Sequence, residues 1–159
     1  MKTVSGFILF FCIPFIGKSQ SLIQLREQFY RASVNSESAD SFYAKMETVT
    51  ANSSSLLLGY KGMASFILCN YSYNPYRKLK YFNEGKNLLD NAIVDSRENV
   101  ELRFLRYSVQ KNIPSFLGYY SNISDDKKII SKNISSQEFK TSDNDLYNRI
   151  VNFLSTENN

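Results

Sequence analysis

Histidine is absent from this 159-residue chain, and so is tryptophan. Without histidine the commonest general base is missing, together with the usual Ser/His and Cys/His pairs and most zinc sites. Cysteine is scarce: only Cys12 and Cys69 occur. If the N-terminus is cleaved, Cys69 stands alone and has no partner for an intramolecular disulfide. It reads as a small apolar residue of a helix rather than a reactive thiol. Six glycines and three prolines argue against a turn-rich β protein. No glycine-rich phosphate loop and no serine elbow is present. The net charge of +4 is mild and scattered, so composition does not point to nucleic acid. Asp125-Asp126 and Asp143-Asn144-Asp145 lack the alternating oxygen ligands and the glycine of a calcium loop, and are expected to serve helix starts. No catalytic residue, metal site or cofactor is expected. Carboxylate-pair chemistry stays open, because two acids need only meet in space.

What the chain does have is helical periodicity and aromatic rings: 11 Tyr and 12 Phe. The clearest stretch runs from Asn74 to Gln110. Asn74 is a good N-cap, and Pro75 suits the first helical position, where a missing N–H costs nothing. Tyr76, Leu79, Phe82, Leu89, Ala92 and Ile93 then form one apolar stripe, which must be buried against a neighbour. Asp95–Asn99 breaks the pattern. Val100, Leu102, Phe104, Leu105, Val109 and Ile113 resume it, and Pro114 ends or kinks the run. A short break between two such helices makes an antiparallel hairpin.

Upstream, Met1–Ser19 reads as a secretory signal peptide, followed by one helical domain over 20–159. Lys2 supplies the positive start, and Phe7–Ile16 is an apolar core too short to span a bilayer as a helix. Small residues Gly17 and Ser19 precede a cut at Ser19/Gln20. No small residue sits beside Cys12, so no lipid anchor is expected. Export to the periplasm or the extracellular space follows, with no stable membrane insertion after cleavage. Loss of Lys2 and Lys18 lowers the net charge to +2.

Helices are predicted over Ser21–Asn35, Ala39–Ala51 and Leu56–Asn70, with Asn35–Ser38 a polar turn. Gly59 and Gly62 in the third suggest close approach of a neighbouring helix or a kink. One or two helical turns are expected over Ser115–Tyr120, then a helix capped by Ser124 and carrying Ile129, Ile130 and Ile134. Ser135–Asp143 reads as loop, although Ser135 and Glu138 have capping-box spacing. A last amphipathic helix spans Asp143–Ser155, and Thr156–Asn159 should fray. The fold class is therefore all-α, with six to eight helices stacked as antiparallel hairpins and a repeat-like core over 21–134.

Ala39, Tyr43, Met46 and Ala51 share their spacing with Gly85, Leu89, Ala92 and Arg97. That pattern of small, large and small residues before a helix exit resembles the second helix of tetratricopeptide repeats. It departs from them in repeat length, in Met46 and in the lack of proline at both exits. The run Asn99–Ile130, within a likeness from Leu57 to Ile134, also resembles small exported proteins of Bacteroidota-type bacteria. That resemblance implies an exported helical protein and no activity.

Two clusters are candidates for ligand or partner binding. Arg103, Arg106 and Gln110 form a polar stripe that reads either as an anion clamp or as ties to Glu101, Asp90 or Asp95. Tyr73, Tyr76, Arg77 and Tyr81 interleave rings with basic groups, a mixture suited to a glycan, an acidic surface or a solvated helix face. Export disfavours nucleic acid as the partner. The expected role is a non-catalytic scaffold or adaptor for a protein partner in the cell envelope. A small-molecule or glycan binding protein is the first alternative, and a His-free carboxylate hydrolase the second.

Overall fold

A computed structural model describes residues 17–157, and all of its regular structure is helical. The expected leader lies outside the described residues except for its last three positions, which open the first helix. Asn158 and Asn159, part of the expected frayed end, also lie outside them. The eight α-helices among the described residues are α1 (Gly17–Val34), α2 (Ser36–Glu47), α3 (Ser55–Tyr71), α4 (Pro75–Asp95), α5 (Val100–Asn112), α6 (Ile123–Ile134), α7 (Gln137–Ser142) and α8 (Asn144–Thr156). A single 3₁₀ turn, Ser115–Leu117, follows Pro114.

Caps set most of the boundaries. Asn74 Oδ1 accepts from Tyr76 N at 2.9 Å and Arg77 N at 3.2 Å, with Pro75 at the start of α4. Asn99 caps α5 through Leu102 N at 3.0 Å. Asn35, expected within a turn, instead caps α2 through Ser38 N at 2.8 Å. One residue therefore separates α1 from α2, and α2 starts and ends earlier than its apolar stripe suggests.

Two further expectations are corrected. Ser124 does not cap α6: the helix begins at Ile123, with Asn122 at the cap position and no side-chain bond there. The expected loop Ser135–Asp143 contains α7, capped by Ser136 Oγ accepting from Phe139 N. Phe139 packs against the core that holds Ile130, Leu146 and Ile150, which draws this polar stretch into a helix.

Consecutive helices pack as hairpins, α1 on α2, α3 on α4 and α5 on α6, and α3 also contacts α1, α2 and α5. The closest pair is α3 with α4. A Cβ on Gly62 would lie 2.8 Å from the Gly85 carbonyl oxygen, so close approach, not a kink, explains the glycine. Two apolar cores result. One gathers Phe42, Tyr60, Met63, Phe82, Leu89, Leu102 and Leu105 from α2 to α5. The other gathers Val100, Tyr107, Ile130, Leu146 and Ile150 from α5, α6 and α8. Helix α5 serves both, so its polar residues must also be buried. Glu101, Arg106 and Gln110 are all under a tenth exposed.

Candidate functional site

The buried charges of α5 are consumed in two networks that hold helices together. Arg26 Nε and Nη2 donate to the two carboxylate oxygens of Glu101, each at 2.7 Å. Its other face donates to Asp143 and Asp145, between 2.7 and 3.0 Å. The Tyr60 hydroxyl also donates to Glu101, at 2.6 Å. Burial works against the Arg26 charge, but these carboxylates outweigh it and hold the guanidinium protonated. Burial, reinforced by Glu101, pushes the Tyr60 phenol far above its ordinary value.

In the second network Arg106 forks onto Asp126 at 2.7 and 2.8 Å and reaches Asp90 at 3.1 Å. Arg103 donates to the same Asp126 at 2.9 Å and to the Arg97 carbonyl. Tyr119 completes it by donating to Asp90 at 2.8 Å. Asp126 is fully buried. It lies in the first turn of α6, but its partners are the two arginines rather than the helix end alone. Both arginines of the expected anion clamp are thus engaged within the chain, Arg106 by Asp126 and Asp90, and Arg103 by Asp126 and the Arg97 carbonyl. Of the expected ties, Asp90 is used, Glu101 belongs to Arg26, and Asp126 supplies the partner that spacing could not reveal.

The seven candidate residues do not converge on one site. Tyr73, Tyr76 and Arg77 are exposed at the start of α4. Tyr81 is half-buried with its ring edge-on to Tyr43, 5.7 Å between centroids. Gln110, one turn after Arg106 on α5, makes no hydrogen bond to either arginine. Its amide nitrogen and oxygen are buried without a hydrogen-bond partner, beside a hollow of about 220 Å³ whose walls include Tyr119 and Tyr120.

A larger concavity than this hollow lies elsewhere. It is a half-open groove of about 750 Å³ walled by the ends of α1, α3, α4 and α5 and by the turn after Pro114. Helix α3 supplies Met63, Phe66, Ile67 and Cys69, α4 supplies Lys78, Leu79 and Phe82, and Phe116 and Leu117 come from the 3₁₀ turn. The turn is fixed at its far end. Gly118 takes a left-handed φ of 66°, which returns the chain to Tyr119. The Tyr119 ring stacks on Phe66 at 6.2 Å and meets Phe82 edge-on at 6.1 Å. Phe116 is left 83% exposed at the mouth.

Along α4 the stripe Tyr76, Leu79, Phe82 descends from 85% through 54% to 5% exposed. Its outer half has no neighbour within the chain's cores. Lys78 is the one charged residue in the groove wall, and it makes no ion pair among the described residues. Cys69 is half-buried there rather than buried. Burial raises its thiol pKa, and the nearby Lys78 only partly opposes this, so the neutral thiol prevails near neutral pH.

Periodicity found the stripe but not its unpaired end, because a helical pattern shows a face without showing what covers it. The only local signal for the groove was an apolar Phe116-Leu117 held between Pro114 and Gly118. No group of acids, cysteines or histidines suited to a metal occurs among the described residues. No helix among them is long and apolar enough to cross a membrane. No protein-family model matches the chain, and neither a curated protein nor a solved structure shows significant similarity to it.

Proposed function

We propose that this chain is an exported, non-catalytic helical protein that works as an adaptor, holding a protein partner of the cell envelope. The observation that carries this is the apolar groove between the helix ends, whose wall includes the solvent-exposed Leu79 and Phe116, with exposed Tyr76 one turn before Leu79 on the same helix. Large apolar groups at a concave surface suit association, and Tyr is enriched where partners bind. In this reading the stacked hairpins present a binding face in the manner of tetratricopeptide-like proteins. The hydrolase alternative needs two acids facing a cleft. Here the acids that converge do so on arginines, Glu101, Asp143 and Asp145 on Arg26 and Asp90 and Asp126 on Arg106, and no acid among the described residues lines the groove. The small-molecule or glycan alternative loses the site first expected for it, because its tyrosines and arginines do not converge.

Affinity capture of a C-terminally tagged copy from cross-linked native cells, read by mass spectrometry, tests the proposal. A near-stoichiometric envelope protein is the expected result. Recovery of the tagged protein alone overturns it.

A further inference from the structure

We propose that the groove takes an amphipathic helix of the partner protein, with its apolar face in the groove and a carboxylate set over Lys78; the inference rests on the adaptor reading. Three observations carry it. First, the chain offers no strand edge among the described residues, so a bound segment gains nothing from extended backbone pairing. A groove between helices is instead the setting in which an amphipathic helix lays down anchors at i, i+3 or i+4 and i+7.

Second, the apolar surface does not stop at the groove. Tyr76 and Leu79 continue the Phe82 stripe outward, and Phe116 stands at the mouth. A small apolar ligand within the groove would touch Leu79 and Phe116, which line it, but leave Tyr76 in water. A helix lying across the mouth covers them together with the floor. Aromatic anchors around a desolvated pocket are where binding energy concentrates.

Third, the charge is one-sided. Lys78 enters the groove wall with no ion pair among the described residues, and no acidic residue lines the groove. The first turns of α4 carry Arg77, Lys78 and Lys80, and the first acid of that helix is Glu84. A partner with Asp or Glu flanking its apolar face is therefore complementary, and a basic one is repelled.

The test selects from a displayed library of helical peptides randomised in apolar and charged positions, using the full-length protein. Selected peptides are then measured by fluorescence polarisation against the parent, Lys78→Glu and Phe116→Ser, each checked for an unchanged helical circular dichroism spectrum. The expected peptides carry apolar residues at i, i+3 or i+4 and i+7 with flanking acids. Each variant should weaken them about tenfold or more. A Glu-to-Lys version of the best peptide should bind Lys78→Glu better than it binds the parent. Peptides without that pattern, or peptides that bind both variants as well as the parent, overturn the proposal. So does tight binding of oleate with no peptide selected, which would mark the groove as an acyl site. The two levels separate cleanly. If tagged Lys78→Glu and Phe116→Ser both still capture the same envelope protein, the groove assignment falls and the adaptor reading stands. If selected peptides show the charge swap but native capture returns only the tagged protein, the adaptor reading falls, and with it the assignment of a natural partner helix.

Discussion

Gly62 of α3 and Gly85 of α4 meet backbone to backbone, each leaving room for the other's carbonyl. A Cβ on either would lie 2.8 Å from the carbonyl oxygen of its opposite number. Helix α4 runs along α3 at this distance, and the groove opens where the two end. Gly62→Ala should therefore destabilise by roughly 2 kcal/mol, since overpacking outweighs the gain in helix propensity. Gly59→Ala should cost less, because the atom in its way is the tip of the Leu102 side chain, which can rotate. Urea denaturation of both variants checks the order.

Arg26→Met should cost about 3–5 kcal/mol, the range for breaking a buried ion pair from one side. It strands Glu101, which is 5% exposed and keeps only the Tyr60 hydroxyl. Adding Glu101→Leu should recover part of the loss, because Asp143 and Asp145 are partly open to water while the Tyr60 hydroxyl loses its acceptor. A double-mutant cycle in urea measures the coupling.

Acid should unfold the protein from a definite side. Burial acts against the Asp143 carboxylate, but hydrogen bonds from Arg26 and the Leu146 amide outweigh it and hold its pKa below the ordinary 3.8. A depressed folded pKa gives stability that is complete above the unfolded value and is lost as pH falls through the folded one. Unfolding free energy should thus stay flat between about pH 8 and 5, where no histidine titrates, and fall below about pH 4. Asp143→Asn should flatten part of that acid slope. At the alkaline end, burial and then Glu84 push the Tyr43 phenol up to about 12. Its contribution is full below the unfolded value near 10 and lost as pH rises toward 12.

Gln110→Met should stabilise the fold by about 1 kcal/mol. The substitution keeps the length of the side chain and removes a buried amide that has no partner. Thermal and chemical unfolding against the parent check the sign.

The α3–α4–α5 core was legible in the sequence because local rules decide it. The Asn74 cap, Pro75, the polar Asp95–Asn99 break and the stop at Pro114 each act within a few residues, and each lies where periodicity puts it. Asn74→Ala should accordingly cost about 1 kcal/mol. The short helix α7 was not legible, since a polar segment becomes helical here only by planting Phe139 in a core built from distant residues. The ion pairs failed for the same reason. Arg106 stands 20 residues from Asp126, and no periodicity on α5 names a partner on α6. Gln110 looked like a member of the arginine stripe, yet the arginines found carboxylates and the glutamine did not. The groove was least legible of all, because it is a space left between four helix ends rather than a pattern on any one of them.

The link between Arg26 and Asp143 spans 117 positions. During synthesis at roughly 5–20 residues per second, the first helix is made many seconds before its last counter-charges exist. Until Asp143 and Asp145 arrive, Glu101 alone balances the Arg26 charge, and the three hydrogen bonds that Arg26 makes to those two carboxylates stay unmade. The first and last helices among the described residues are thus clasped to one another, and Arg26 gains its full set of bonds only when α8 is in place.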